Sequence, residues 1–243
     1  MNKVFYGDCL VVMPKLDIKV DMILADLPYG TTACKWDTPI PPEPLWENYK
    51  RLIKDNGAIV LTASQPFTSV LVMSNPKMFK YEWIWEKSKA TGHLDVKRKP
   101  LKKHESVLVF YSSLPTYNPQ GLIKGIFKTG RDANMDGKVY GQYKNHGISE
   151  YGNYPKSIIR INNPSQSGNE HPTKKPVELF EYLIKTYTNE GETVLDNTAG
   201  VMTTAIACIN TNRNYICIEK DKGYYEKGLE RIEKHRQQLK LAI

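Results

Sequence analysis

The chain has 243 residues, 40% hydrophobic and 25% charged, and its 34 Lys and Arg against 26 Asp and Glu give a net charge of +8. That apolar content with so modest an imbalance excludes a disordered chain. The length suits one domain, or one domain with an inserted lobe, large enough to bury a core.

The first predicted strand is Lys3–Tyr6, followed by a helix from Asp8. Asp21–Asp26, DMILAD, has the apolar run of a buried strand and ends in a loop rich in Thr and Pro. A helix is predicted from Pro44 to Lys54, with Leu45, Tyr49, Leu52 and Ile53 on one face. Gly57 lies just past its end, where a helix stop is expected. A strand follows at Gly57–Ala63 and a helix at Gln65–Ser74. Tyr81–Lys87 alternates as a half-buried strand, with Tyr81, Trp83 and Trp85 on one face, and Glu105–Tyr111 reads as another. The two tryptophans are expected to pack in the core or against the lobe. Between these strands, 87–104 carries Lys87, Lys89, Lys97, Arg98, Lys99, Lys102 and Lys103 against Asp95 alone, a basic loop. From 112 to 170 the composition shifts to Gly, Asn, Tyr and Lys with little periodicity, which predicts a loop-rich inserted lobe.

Alternation then resumes: a helix at Pro176–Thr188, a strand at Thr193–Asp196, a helix at Thr203–Asn210, a strand at Asn214–Glu219 and a last helix from Asp221 to Leu239. Apolar strands alternating with helices imply an α/β, Rossmann-like sheet, mostly parallel and covered on both faces. No apolar run reaches the length of a membrane span. Asp8, Pro14 and Lys15 interrupt the N-terminal stretch, unlike a secretory leader. Cys9, Cys34, Cys208 and Cys217 form no C-x-x-C pair and have no His at ligand spacing, so neither a zinc site nor a disulfide framework is expected. Reduced thiols and no membrane segment point to the cytoplasm.

Ligands of open α/β sheets bind beyond the carboxyl ends of the strands. Here four such ends are acidic: Gly7-Asp8, Asp26-Leu27-Pro28-Tyr29, Asp196-Asn197-Thr198-Ala199-Gly200 and Glu219-Lys220-Asp221. Each acid alone is an ordinary helix cap; together they are a constellation.

Three segments carry a resemblance to a family. Asp26-Leu27-Pro28-Tyr29 resembles the D-P-P-Y motif of S-adenosylmethionine-dependent DNA amino-methyltransferases. His171–Ile184, HPTKKPVELFEYLI, resembles the H-P-T-x-K-P segment of that family, and Val194–Asp221 resembles its V-L-D-P-F-x-G-S-G-T-T cofactor segment. The order, catalytic segment first, is similar to the β class, as in the short adenine-N6 methylases of bacteriophages and restriction–modification systems. The resemblance implies a class I methyltransferase acting on double-stranded DNA in the bacterial cytoplasm or nucleoid, and suggests a homodimer. It implies that Asp26 and the Leu27 carbonyl accept hydrogens of the target amine and that Tyr29 stacks on a base rotated out of the duplex. Pro28 holds Leu27 extended, giving its carbonyl a direction. Asp8, Asp196, Asn197, Thr198, Gly200, Glu219 and Lys175 are then the cofactor residues, with Glu219 on the ribose hydroxyls. Lys89, Lys97, Arg98, Lys99, Lys102 and Lys103 would contact phosphate, and Arg131, Asn134, Gln142, Asn145 and His146 of the lobe are available for base edges. Adenine N6 is the target implied by an Asp at the head of the motif. Cytosine N4, a catalytically silent DNA-binding relic, and a protein-glutamine or RNA methylase are the alternatives. Val201-Met202 in place of Ser-Gly motivates the relic, because a side chain would then stand beside the ligand. His93 and His104 have no role in this reading.

Overall fold

The computed structural model describes residues 2–31, 37–130, 146–163 and 174–241. The chain forms two compact units, Met1–Asn118 with Ser157–Ile243, and Pro119–Lys156.

The first unit is built on an eight-stranded sheet in the order β1-β10-β9-β2-β3-β5-β4-β8. Its strands are β1 (Asn2–Tyr6), β2 (Val20–Asp26), β3 (Ile53–Ala63), β4 (Phe79–Thr91), β5 (Lys102–Phe110), β8 (Ile158–Ile161), β9 (Thr193–Asp196) and β10 (Asn214–Glu219). Every neighbouring pair is parallel except β3–β5 and β5–β4, so β5 alone runs against the rest. The second unit holds the antiparallel pair β6 (Ile123–Gly130) and β7 (His146–Gly152).

Strand periodicity divides the core into two layers. Met22, Leu24, Ala58, Val60, Trp83 and Trp85 face α4 (Val177–Tyr187), α5 (Thr203–Asn210) and α6 (Lys222–Leu241). Ile23, Ala25, Ile59, Leu61, Leu108 and Phe110 face α1 (Cys9–Val12), α2 (Pro42–Leu52) and α3 (Phe67–Ser74). Both tryptophans are core residues whose indole N–H groups are satisfied: Trp83 donates to the Tyr187 hydroxyl at 2.7 Å and Trp85 to the Ile161 carbonyl at 2.9 Å.

Two sequence expectations change. Gly57 does not stop α2, which ends at Ile53 with an extended backbone; it lies inside β3. The register slips there, Val20 facing Ile53 and Met22 facing Ala58. A Cβ on Gly57 would stand 2.6 Å from the Ile53 side chain and 2.9 Å from the Asp21 carbonyl, so the glycine is required by close approach. The basic stretch 87–104 is a ribbon rather than a loop, because β4 and β5 keep pairing out to Thr91 and Lys102. It turns through Gly92, at φ 92°, and a 3-10 turn at His93–Asp95. Of the stretch 112–170, the second unit takes Pro119–Lys156, and β8 joins the large sheet beside β4.

Candidate active site

From β9 the chain winds outward through β10, with β1 beyond it, while from β2 it winds the other way through β3. The switch point therefore falls between β9 and β2, where open α/β sheets bind ligands. The four acidic strand ends are adjacent along this edge.

Asp26 closes β2. Its Oδ1 accepts hydrogen bonds from the Tyr29 hydroxyl at 2.8 Å and the Thr62 hydroxyl at 2.5 Å, and its Oδ2 accepts one from the Lys175 ammonium at 2.7 Å. Thr62 is the register partner of Asp26 on β3. Lys175 lies just before α4 and also pairs with Glu105 at 3.2 Å. Burial alone would depress the Lys175 ammonium; the carboxylates of Asp26 and Glu105 overcome this and hold it well above the usual lysine range. Glu105 goes the other way: burial would raise it, but Lys175 and Lys87 bring it below the ordinary carboxylate range. Burial and the Asp26 charge push the Tyr29 phenol well up, so it stays a neutral donor. The Tyr29 ring stacks on Phe67, with centroids 5.3 Å apart and planes at 24°, and the Lys175 ammonium lies 5.5 Å from its centroid. Leu27 and Pro28 are buried behind this loop.

The acids at the ends of β9 and β10 are held by neutral donors. Asp196, 2% exposed, accepts from the Thr198 amide at 3.0 Å and from the Thr204 hydroxyl. Burial pushes its carboxyl up to about 7. Glu219 accepts from the Gly200 amide and the Asp221 amide, both at 2.7 Å, and burial raises it against those two bonds. Asn197 accepts from the Tyr49 hydroxyl at 2.6 Å, and the Thr198 hydroxyl donates to the Asp26 carbonyl at 3.1 Å, tying this loop to β2. Asp8 caps α1, accepting from the Leu10 amide at 2.8 Å.

Met202, where the family motif has Gly, occupies the left-handed region at φ 62° and is 0% exposed. Its side chain turns away from the strand end into the core against Gly228 of α6, where a Cβ would meet Met202 Cγ at 2.4 Å. A Cβ on Gly200 would meet nothing within 4 Å. The space beside Gly200 is open, and the Met202 side chain packs against Gly228 instead of into it.

Lys175, expected among the cofactor residues, donates to the Asp26 carboxylate. Sequence reasoning missed Thr62, Phe67, Glu105 and Lys87 as members of the site. A polar residue at the end of the apolar run AIVLT and an acid opening ESVLVF were the available signals. On the ribbon, Lys89, Lys97, Arg98 and Lys99 are exposed; Lys99 pairs with Asp95 at 2.9 Å and Lys103 with Glu86 at 3.3 Å. Lys102 turns toward the sheet, donating to the Ser64 hydroxyl, and burial lowers its ammonium. Arg131, Asn134, Gln142, Asn145, the His146 side chain, Cys34 and 171–173 of the H-P-T-K-K-P segment lie outside the described residues.

Comparison with known proteins identifies the family of the chain. A family model described as DNA methylase, of the N6/N4 type, matches residues 20–230. DNA adenine methyltransferase YhdJ of Escherichia coli is 25% identical over 95% of this chain and 82% of its own length. Type II methyltransferase M.HpaI of Haemophilus parainfluenzae is 27% identical over 88% of this chain and 68% of its own. The solved complex of M1.HpyAVI with its SAM ligand superposes with a TM-score of 0.67 at 23% identity, covering 96% of this chain and 99% of that one. The cytosine-N4-specific PvuII DNA methyltransferase has the same TM-score, 0.67, at 13% identity, covering 98% and 92%.

Proposed function

The chain belongs to the N6/N4 family of DNA methylases, and from that membership we propose that it transfers a methyl group from S-adenosylmethionine to N6 of adenine in double-stranded DNA. The observation that carries the proposal is the Asp26-Leu27-Pro28-Tyr29 turn at the sheet's switch point, with its carboxylate already oriented by three donors. The exocyclic amine is a poor nucleophile because its lone pair is delocalised into the ring. An acceptor on each amine hydrogen draws the nitrogen toward tetrahedral geometry and exposes that pair. Asp26 and the Leu27 carbonyl are the two acceptors. Orientation and local charge then supply most of the rate. The amine gives up one proton on methylation, and the Asp26 carboxylate is the group that would hold it.

The strand ends of β9 and β10 fit the cofactor. Among the described residues neither Asp196 nor Glu219 forms an ion pair, so two buried carboxylates face the edge without a cation. The open space beside Gly200 admits a ligand backbone-close. When bound, S-adenosylmethionine supplies a cationic sulfonium carrying an electrophilic methyl group. Glu219 would orient its ribose, Gly200 allow its close approach, and Asp8, Asp196, Asn197 and Thr198 shape the rest of its site. The inward turn of Met202 supports an active enzyme over a silent relic.

Lys89, Lys97, Arg98, Lys99 and Lys103 on the ribbon would contact phosphate without reading sequence, leaving base reading to the second unit. A homodimer in the bacterial cytoplasm or nucleoid is part of this reading; sedimentation reads the first of these. The test is incubation with labelled cofactor and mixed-sequence duplex DNA, digestion to nucleosides and identification of the labelled base. N6-methyladenine is expected. N4-methylcytosine overturns the adenine assignment, and DNA binding without transfer overturns the activity.

A further inference from the structure

We propose that Lys87, Glu105 and Lys175 are positioning residues that lock the rotation of Asp26 and reserve its Oδ2 for the target amine, an inference that rests on the reading of Asp26 as the amine's acceptor. The four side chains form a row of alternating charge. Lys87 pairs with Glu105 Oε1, Glu105 Oε2 stands 3.2 Å from the Lys175 ammonium, and that ammonium donates to Asp26 Oδ2 at 2.7 Å. Lys87 and Lys175 are each 7% exposed, and the Glu105 side chain is 11% exposed. The row crosses the sheet from β4 through β5 to the end of β2.

Such a row is costly. Burying ions forfeits hydration, and apolar residues of the same volume commonly stabilise a fold as well or better. A stability role alone explains it poorly; its termination on the carboxylate at the switch point gives it a purpose. A carboxylate oxygen has about two acceptor sites. On Asp26, Oδ1 has both filled, by Tyr29 and Thr62, while Oδ2 has one filled, by Lys175. The remaining site on Oδ2 is where an incoming amine hydrogen can be received. With donors on both oxygens, the carboxylate cannot flip about its Cβ–Cγ bond without breaking three bonds. Lys175 suits this task because it stays protonated: it orients Asp26 and takes no proton. Glu105 fixes the ammonium from its other side, and Lys87 neutralises Glu105, so that the row as a whole carries no net charge. Lys87 and Glu105 also stand at the root of the basic ribbon, where β4 and β5 leave the sheet.

The test uses the full chain with duplex DNA and S-adenosylmethionine, comparing Lys175→Met, Glu105→Gln and the double variant Lys87→Met/Glu105→Gln. A displaced acceptor costs on the order of 100-fold. We expect Lys175→Met to lower kcat by about that factor, with KM for DNA and for cofactor changed less than about threefold. Glu105→Gln should lose about tenfold in kcat, because the buried Lys87 then loses its carboxylate partner and Lys175 is no longer fixed from its far side. The double variant, which removes one charge of each sign, should recover most of that loss. Independently of activity, ¹⁵N NMR of the lysine ammonium groups should find Lys175 protonated above the usual lysine range in the wild type and titrating lower in Glu105→Gln. An unchanged kcat in folded Lys175→Met and Glu105→Gln, or an unchanged Lys175 titration in Glu105→Gln, overturns the proposal. A loss confined to the KM for cofactor overturns it in favour of a cofactor role for Lys175. Absence of transfer by the wild type instead overturns the methylase reading, while the NMR titration still judges the row.

Discussion

The two sides of the switch point hold their carboxylates by opposite means. On the β2 side, Asp26 meets a buried ammonium and two hydroxyls, and the charges around it alternate in sign. On the β9–β10 side, Asp196 and Glu219 meet only amides and a hydroxyl, and burial raises both. The first arrangement is complete within the protein and fixes the direction of an acceptor. The second leaves two carboxyls, both raised by burial, with no ion pair among the described residues where a cationic ligand is expected. On the proposed reading the difference follows from the role of each side: an acceptor of the amine must stand still before substrate arrives, whereas carboxylates that bind a cationic ligand gain by having their charge balanced on binding.

Breaking the catalytic side should have the largest effect. Asp26→Ala should reduce methyl transfer more than about 100-fold while calorimetry finds cofactor affinity nearly unchanged; a shared loss of affinity would merge the two sides into one site. Breaking the cofactor side with Glu219→Ala should weaken cofactor binding by roughly 1–3 kcal/mol, the cost of losing a hydrogen-bonded charge, and unchanged affinity would remove Glu219 from the ribose.

The contrast also has a pH signature. Asp196 rises from 3.8 to about 7 in the folded protein, so the native state keeps a proton that the unfolded chain releases between those values. Its contribution to stability is therefore full below about pH 4 and is lost as pH rises through about 7, at no more than about 1.4 kcal/mol per pH unit. Asp196→Asn can keep both hydrogen bonds, from the Thr198 amide and with the Thr204 hydroxyl, and should flatten denaturation midpoints across that window. An undiminished pH slope in the variant would contradict the raised carboxyl.

Smaller effects probe the surroundings of each side. Neutralising Lys97 and Arg98 should reduce the salt slope of DNA binding by about two units if both contact phosphate, and an unchanged slope would leave the ribbon a solvated projection. Gly228→Ala should destabilise by about 1 kcal/mol net, overpacking against Met202 outweighing the gain in helix propensity. Adding Met202→Gly should recover part of that loss, and strict additivity would contradict their contact.

The strand ends were legible in the sequence because they are local: an apolar run closed by an acid marks β2, β9 and β10 without knowledge of their neighbours. Their convergence was legible only through the βα alternation. The row behind Asp26 was not, since Lys175 lies 149 positions from Asp26 and Glu105 meets Lys87 across two strands. A lysine in a run of polar residues carries no mark of burial. Gly57 misled because a glycine after a helical pattern reads as a stop, while its actual constraint comes from Ile53 and the Asp21 carbonyl, seen only once β2 and β3 pair. At Met202 a missing glycine suggests obstruction, while the left-handed backbone carries its side chain against Gly228 of α6, an accommodation at a cost of about 1–2 kcal/mol.

The central claim is that Asp26 activates an adenine amine for methyl transfer. The most direct measurement is labelled methyl transfer by wild type and Asp26→Ala side by side, with cofactor binding confirmed for both and the product nucleoside identified. The account predicts N6-methyladenine from the wild type and none from a variant that still binds cofactor. Transfer by Asp26→Ala at the wild-type rate would contradict it.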